Sequence, residues 1–338
     1  MTDRKPKIPR KREKTATELS DGVLQGNRAI LAQAITLIES NAPRHFEKAQ
    51  ELLNLIIPSS GKSIRIGITG VPGAGKSTFI EAFGMYLCEL GHKVAVLAVD
   101  PSSSVTGGSI LGDKTRMEQL SRHPHAYVRP SPSAGTLGGV AKKTRETILL
   151  CEAAGYDVII VETVGVGQSE VAVRSMVDIF LLLALTGAGD ELQGMKKGIM
   201  ELTDLLLINK ADGDNEQKAL RAKQEFSRIL HFLRPATKGW SSKALTCSAL
   251  YQIGIDTVWN NILEYEKVTK ESNVFQERRE AQMKDWFYTM IVDRLQTMFF
   301  QHSTIKQQLP ILESQILSGK LSASLAVNEL FEEYERAK

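Results

Sequence analysis

The most informative stretch of this 338-residue chain is residues 70–78, which read Gly70-Val71-Pro72-Gly73-Ala74-Gly75-Lys76-Ser77-Thr78. An apolar stretch (64–69) precedes it and a predicted helix (79–90) follows, so the pattern G-x-x-x-x-G-K-[ST] lies between a strand and a helix. The glycines let the backbone close around a phosphate, to which the helix N-terminus presents N–H groups. In such a P-loop, Lys76 supplies charge for the β- and γ-phosphates and Ser77 offers its hydroxyl to Mg²⁺.

A second pattern indicates which base the nucleotide carries. The tetrapeptide Asn209-Lys210-Ala211-Asp212 directly follows the strand candidate 205–208. A carboxylate at Asp212 can accept both N1–H and the exocyclic amine of guanine, whereas adenine offers no such pair of donors. After the next strand candidate come Ser248, Ala249 and Leu250, whose backbone is expected to contact guanine O6. The sequence therefore predicts GTP or GDP as the ligand.

The remaining apolar stretches predict the fold class. Seven short stretches read as strands, at residues 64–69, 94–99, 127–129, 158–161, 179–185, 205–208 and 245–247. Several are apolar throughout, as expected for parallel strands that are covered on both faces. Because helical stretches alternate with them, the sequence predicts an α/β fold with a doubly wound, mostly parallel sheet. Ligands of such sheets bind at the carboxyl ends of the strands.

Three acidic residues are candidate ligands of the metal ion: Asp100, Asp113 and Glu162. Glu162 ends a strand candidate, at the place where many P-loop GTPases have Asp, and the N–H of nearby Gly165 would meet the γ-phosphate. Mg²⁺ retains waters and few protein carboxylates, so the three acids are not all expected to bind it directly. For Asp113, a solvated loop acid is the alternative.

The candidate for orienting the attacking water is Gln168. The residue directly after Gly165 is Val166, whereas in the Ras-type arrangement Gln follows the glycine. This placement predicts weak intrinsic hydrolysis. A partner or a second subunit would then complete the catalytic site.

Composition limits the other classes of function. Residues 1–14 hold seven basic and two acidic side chains, so they contribute +5 to the total of +3 and the rest of the chain sums to −2. The excess positive charge thus belongs to a tail, and nucleic acid is not expected as the main ligand. No run of eighteen apolar residues predicts a membrane span. The three cysteines are far apart, which suits a reducing cytosol, and a cytoplasmic protein is predicted.

Four regions are predicted along the chain: a disordered basic tail (1–19), an N-terminal helical extension with two helices (20–60), a P-loop GTPase domain (61–274) and a C-terminal helical region (275–338). The last contains an apolar stripe at helical spacing, formed by Met283, Trp286, Phe287, Met290, Ile291, Leu295, Met298 and Phe299. The stripe either packs on its own domain or forms a dimerisation arm. Pro310 and Gly319 are predicted to break the helices there.

At this level of detail the sequence resembles the MeaB/MMAA family of GTPases, also called ArgK. Beyond the patterns already described, the resemblance rests on AVDPSS at 98–103, GGSILGDKTRM at 107–117, RPSPSAGTLGGVA at 129–141, ETVGVGQSE at 162–170 and GAGDELQGMKKGI at 187–199. These segments occur in one order, and the resemblance runs from about residue 20 through nearly the whole chain.

The resemblance implies roles that the residues alone do not show. Asp100, Asp113 and Glu162 would surround Mg²⁺ and the switch. The loop 187–197 resembles a third switch that senses the partner enzyme, with Gln193 and Lys196 as its working side chains. The C-terminal helices would form a homodimer. The family couples GTP binding and slow hydrolysis to adenosylcobalamin loading and protection of methylmalonyl-CoA mutase.

Three other functions remain open from the sequence. A metal-delivery GTPase of the nickel-enzyme type would require a cluster of metal ligands, but the six histidines are scattered and only His123 and His125 are close. An ArgK-like kinase would require a second pocket for an acceptor hydroxyl, for which the sequence offers no signal. An adapter that binds GTP without useful turnover is the third.

Overall fold

The structure is a computed structural model, which describes residues 12–99, 117–130, 137–163, 169–186 and 197–337. It divides into two compact units, Met1–Arg278 and Arg279–Lys338. The sequence placed the corresponding boundary at residue 274.

The first unit begins with three helices, α1 (Ala16–Leu24), α2 (Arg28–Glu39) and α3 (Pro43–Ile56). The prediction of two helices after a disordered tail at 1–19 was wrong in detail, because α1 already begins at Ala16. Its start is fixed by a capping box, in which the Thr15 hydroxyl accepts the Glu18 N–H and the Glu18 carboxylate accepts the Thr15 N–H.

A seven-stranded, all-parallel sheet forms the centre of this unit, which confirms the predicted fold class. Its strands are β1 (Ile64–Gly70), β2 (Val94–Val99), β3 (Ala126–Arg129), β4 (Val158–Thr163), β5 (Ile179–Ala184), β6 (Leu205–Ile208) and β7 (Lys243–Thr246). Their order is β3-β2-β4-β1-β5-β6-β7. Strand β1 lies between β4 and β5, at the point where the strand order reverses. The loop after β1 therefore opens into the crevice where doubly wound sheets bind ligands.

In the described ranges, seven helices accompany the strands: α4 (Lys76–Glu89), α5 (Glu118–Arg122), α6 (Leu137–Ala153), α7 (Ser169–Arg174), α8 (Lys197–Glu201), α9 (Glu216–Phe232) and α10 (Ile255–Glu271). Helix α4 begins three residues earlier than the predicted start at residue 79. The difference arises because the last residues of the P-loop pattern themselves form the first helical turn.

The hydrophobic core covers both faces of the sheet. On one face, β1 and its neighbours pack with α4 and α10, through side chains such as Phe79, Phe83 and Trp259. On the other face, α1–α3 and α6 share one cluster with β2 and β4. The N-terminal helices are thus part of the core of this unit. All three cysteines are buried and free.

The C-terminal region consists of α11 (Val274–Gln301), α12 (Ser303–Leu317) and α13 (Ala323–Arg336). The second unit has its own small core around Ile305, Leu312, Ala326 and Leu330. The predicted break at Gly319 is confirmed, since its φ of 72° ends α12.

The predicted break at Pro310 was wrong, because this residue lies inside α12. An internal proline costs roughly 3 kcal/mol in helix propensity. Ile305 and Leu312 on either side of it are buried in the core of the unit, which favours continuation of the helix. Tertiary packing thus outweighs the local preference.

Candidate nucleotide-binding site

The P-loop joins the carboxyl end of β1 to the first turn of α4. Gly75 precedes the helix with a φ of +81°, a left-handed conformation that favours glycine. A Cβ at this position would lie 2.8 Å from the Nδ2 atom of Asn209, so a side chain is excluded on steric grounds as well. Gly73 also has a positive φ of 80°, and a Cβ there would meet open space. The P-loop therefore has free space beside Gly73, whereas Gly75 is packed against the side chain of Asn209.

The Lys76 side chain folds back over this loop. Its Nζ donates to the carbonyl oxygen of Gly70 at 2.8 Å and lies 3.5 Å from that of Val71. The ammonium group is half-buried beside the backbone that precedes the helix N-terminus. Positive charge and helix N–H groups thus meet at one place, which is the arrangement that binds phosphate.

Asn209 is the first residue of the segment predicted to recognise guanine (residues 209–212, the guanine motif), and its side chain connects this segment to the P-loop. Its Nδ2 donates to the carbonyl oxygen of Ala74 at 2.8 Å, and its Oδ1 accepts the N–H of Ala249 at 3.1 Å. The side chain is buried, and Cys247 Sγ lies 3.8 Å from the same Oδ1. Burial raises the pKa of Cys247 to about 12, so this thiol stays neutral. One amide therefore fixes three segments: the P-loop, the end of β6 and the loop after β7.

The predicted guanine-reading residues are brought together at this edge of the sheet. The Ser248 hydroxyl donates to Asp212 Oδ2 at 2.6 Å and accepts the Tyr251 N–H at 3.3 Å. This bond fixes the orientation of the half-buried Asp212 carboxylate. Ser248 and Ala249 are buried, whereas Leu250 is exposed.

Lys210 adopts a left-handed conformation with a φ of 60°, which is uncommon for a residue with a side chain. Asn215 supports this turn, because its Nδ2 donates to the Lys210 carbonyl at 2.7 Å and its Oδ1 accepts the Thr186 hydroxyl at 2.6 Å. Neither Asn215 nor Thr186 was predicted from the sequence. The signal that the sequence offered for Asn215 is a polar side chain three positions after Asp212.

Strand β4 places Glu162 at the same edge. Glu162 pairs with Ile68 of β1 and with Ala98 of β2, and its side chain is buried. The next residue, Thr163, donates its hydroxyl to the Thr69 hydroxyl at 2.7 Å, and both side chains are fully buried. This bond, which was not predicted from the sequence either, connects the end of β4 to the strand that enters the P-loop.

Several predicted site residues lie outside the described residues: Asp100, Asp113, Gly165, Gln168, Gln193 and Lys196. The described part of the site therefore comprises the P-loop, Glu162, the guanine motif and the loop after β7.

This fold and this site define a P-loop GTPase. A family model described as "Methylmalonyl Co-A mutase-associated GTPase MeaB" matches residues 31–304. The chain belongs to this family and is a GTPase, which confirms the resemblance found in the sequence.

Individual relatives agree with the family assignment. The chain is 54% identical over 274 residues to "GTPase ArgK" of Escherichia coli, covering 81% of this chain and 83% of that protein. It is 45% identical over 335 residues to "Methylmalonic aciduria type A homolog, mitochondrial" of Mus musculus, covering 96% and 81%. A solved structure named "LAO/AO transport system kinase" is 40% identical, with a TM-score of 0.75 and coverage of 95% and 97%.

Within the described ranges, every helix is either too short or too polar to cross a membrane.

Proposed function

We propose that this GTPase binds GTP with Mg²⁺ in the described site and couples its nucleotide state to adenosylcobalamin loading and protection of methylmalonyl-CoA mutase. The observation that carries the proposal is the pair of bonds Ser248–Asp212 and Asn209–Ala74. They join the base-reading and phosphate-binding segments in a chain of the mutase-associated family.

The nucleotide is oriented by both ends of the site. Asp212 would accept N1–H and the amine of guanine, and the backbone of Ser248, Ala249 and Leu250 would contact O6. The phosphates would lie on the N–H groups of residues 70–78, and Gly165 would contact the γ-phosphate. When a nucleotide binds, Lys76 would give up its hydrogen bond to the Gly70 carbonyl and donate to the β- and γ-phosphates instead. A hydrogen bond between two charged groups is stronger than one to a neutral carbonyl.

The donor set suits Mg²⁺. Ser77 in the first turn of α4 would supply a hydroxyl, and the buried Glu162 stands at the end of β4 beside the P-loop strand. Hard oxygen ligands of this kind are those that Mg²⁺ prefers. Asp100 and Asp113 are the further acids proposed to surround it. The ion would neutralise charge on the phosphates.

Hydrolysis is proposed to be slow in the isolated chain. Gln168 is proposed to orient the water, and Gln193 and Lys196 would respond to the partner enzyme. A homodimer is proposed through α11, because several apolar side chains of its predicted stripe are at least 39% exposed in the single chain: Met283, Phe287, Ile291, Leu295 and Met298. The protein is proposed to act in the cytoplasm, without nucleic acid or membrane as a ligand.

The decisive experiment adds purified adenosylcobalamin-dependent methylmalonyl-CoA mutase to the GTPase with γ-³²P-labelled GTP. We expect faster release of labelled phosphate with the mutase than without it, and no increase with heat-denatured mutase. Unchanged turnover would contradict the mutase proposal.

The same assay tests the kinase alternative, which the name of the solved relative suggests. Transfer of label to a protein instead of to water would support that alternative. The Lys76→Ala variant, in which the phosphate-binding charge is removed, is the control for any contaminating GTPase.

A further inference from the structure

A second buried polar cluster lies at the amino ends of β5 and β6, at the opposite end of these strands from the nucleotide site. Asp204, which directly precedes β6, has a fully buried carboxylate. Arg174, the last residue of α7, donates to both of its oxygens at 2.8 and 3.2 Å. The Phe180 N–H donates to the same carboxylate at 2.9 Å.

The Thr237 hydroxyl forms hydrogen bonds with all three charged side chains of this cluster. Its hydroxyl donates to Asp204 and accepts one N–H from Arg174 at 3.1 Å and another from Arg278. A hydroxyl has one donor and two acceptor sites, so all the hydrogen-bonding capacity of Thr237 is used. Arg278, in the second turn of α11, also donates to the Asp178 carbonyl and to the Tyr265 hydroxyl.

Burial of these charges is costly. An ion pair taken out of water often contributes no more stability than apolar side chains of the same volume. Arg174 and Arg278 are each less than a fifth exposed, and Asp204 is not exposed at all. A purely stabilising role therefore does not explain why two arginines converge on one hydroxyl and one carboxylate.

The two arginines belong to helices that are connected to different parts of the protein. Helix α7 begins at Ser169, four residues after Gly165, which is proposed to contact the γ-phosphate. Its C-terminal end is held by Arg174 and by Arg145 of α6, which donates to the Ser175 carbonyl at 2.6 Å. Arg278 belongs to the first turns of α11, the helix that leads into the C-terminal region.

We propose that the Asp204–Thr237 cluster is a coupling device, in which Arg174 and Arg278 link the position of α7 to the position of the first turns of α11. Arg278 and Thr237 are then positioning residues for the γ-phosphate-sensing end of the site, although neither touches the nucleotide. The inference rests on the proposed function, because it concerns regulation of the same nucleotide site.

Two routes lead from the cluster to the nucleotide, and they predict different results. Strand β6 connects Asp204 to Asn209, but its residues are fully buried between β5 and β7, and a change there would weaken GTP and GDP binding equally. Helix α7 adjoins the segment that would contact only the γ-phosphate. A change transmitted by α7 would therefore weaken binding of a GTP analogue more than binding of GDP.

The test compares Thr237→Val with Thr269→Val in the full chain. Both substitutions remove a buried hydroxyl while keeping the shape of the side chain. Thr269 donates only to carbonyls of its own helix, at 2.7 and 3.2 Å, and is the matched control. Affinities for GDP and for a non-hydrolysable GTP analogue are measured by calorimetry, and backbone hydrogen exchange of residues 274–278 is followed in both nucleotide states.

We expect Thr237→Val to shift the GTP-analogue to GDP affinity ratio about fivefold or more in favour of GDP, since coupling between sites typically reaches this size. The control should stay within about twofold of the wild type. By linkage, hydrogen exchange at 274–278 should differ between the two nucleotides in the wild type, and this difference should shrink in Thr237→Val.

An equal loss of both affinities, or no change in the ratio, would overturn the coupling and leave the cluster with a structural role. Absence of a nucleotide effect on exchange at 274–278 in the wild type would overturn it as well. A wild type that binds no GTP would instead contradict the proposed function. Should Thr237→Val fail to fold, Arg278→Lys is compared with Arg65→Lys, whose guanidinium forms a similarly buried pair with Glu152 of α6.

Discussion

The substitution Asp212→Asn tests the base-reading end of the site most directly. In the structure the Asp212 carboxylate is half-buried and held by the Ser248 hydroxyl at 2.6 Å. With guanine bound, it would accept two hydrogen bonds, each worth about 1.5–3 kcal/mol because the acceptor is charged. An asparagine keeps the shape but replaces one acceptor oxygen by an NH₂ group, which faces a donor of the base.

Two such bonds together give about 3–6 kcal/mol, and we expect a loss of about 3 kcal/mol, at the lower end of this sum, because the carboxylate is partly exposed. This corresponds to GTP affinity lowered by about a factor of 100. ATP affinity should change little, since adenine does not present the two donors. Xanthosine triphosphate, which carries a carbonyl oxygen in place of the amine, should bind the variant better than it binds the wild type.

Isothermal titration calorimetry with the three nucleotides measures these affinities. The matched control is Asp214→Asn, an exposed acid two residues further along the chain. An unchanged ratio of GTP to ATP affinity would refute the role of Asp212. An equal effect of Asp214→Asn would show that general charge, and not hydrogen bonding to the base, is responsible.

Three further predictions concern the phosphate end and the core. Lys76→Ala should abolish tight GTP binding in calorimetry without changing the circular dichroism spectrum; undiminished affinity would exclude the P-loop assignment. Gly75→Ala should lower Tm and GTP affinity more than Gly91→Ala, because both have a left-handed φ but only Gly75 faces a side chain, Asn209 Nδ2, at 2.8 Å; equal effects would argue against that contact. Burial raises the pKa of Glu146 above its ordinary value, so its ionisation destabilises the fold as pH rises. Glu146→Gln should therefore raise Tm at pH 7 and lose this advantage below about pH 4, where the wild-type carboxyl is protonated in both states; a variant less stable at pH 7 would contradict this.

Local patterns predicted the sheet well. Strands β2 and β6 have the same bounds in the sequence analysis and in the structure, because their apolar residues are continuous and polar residues end them. The start of α1 was missed although the capping pair Thr15 and Glu18 is visible in the sequence. The nearby basic tail obscured it.

Pro310 was wrongly predicted to break a helix. A proline usually ends a helix, but the local preference is small enough to be outweighed by packing on both sides. Asn215, Thr186 and the Thr69–Thr163 pair were missed because their partners are distant in the chain. Thr69 and Thr163 are separated by 94 positions.

The sequence by itself determined the class of fold, the nucleotide and the family, because strand periodicity and the order of the phosphate and guanine motifs are properties of neighbouring residues. Only the tertiary structure decided how these segments are joined. Asn209 bonds to Ala74 across 135 positions, and Thr237 bonds to Arg174 across 63. A hydrogen bond depends on the distance between two atoms in space, and the folded chain brings these pairs of atoms to 3.1 Å or less. Patterns of neighbouring residues in the sequence do not predict such contacts.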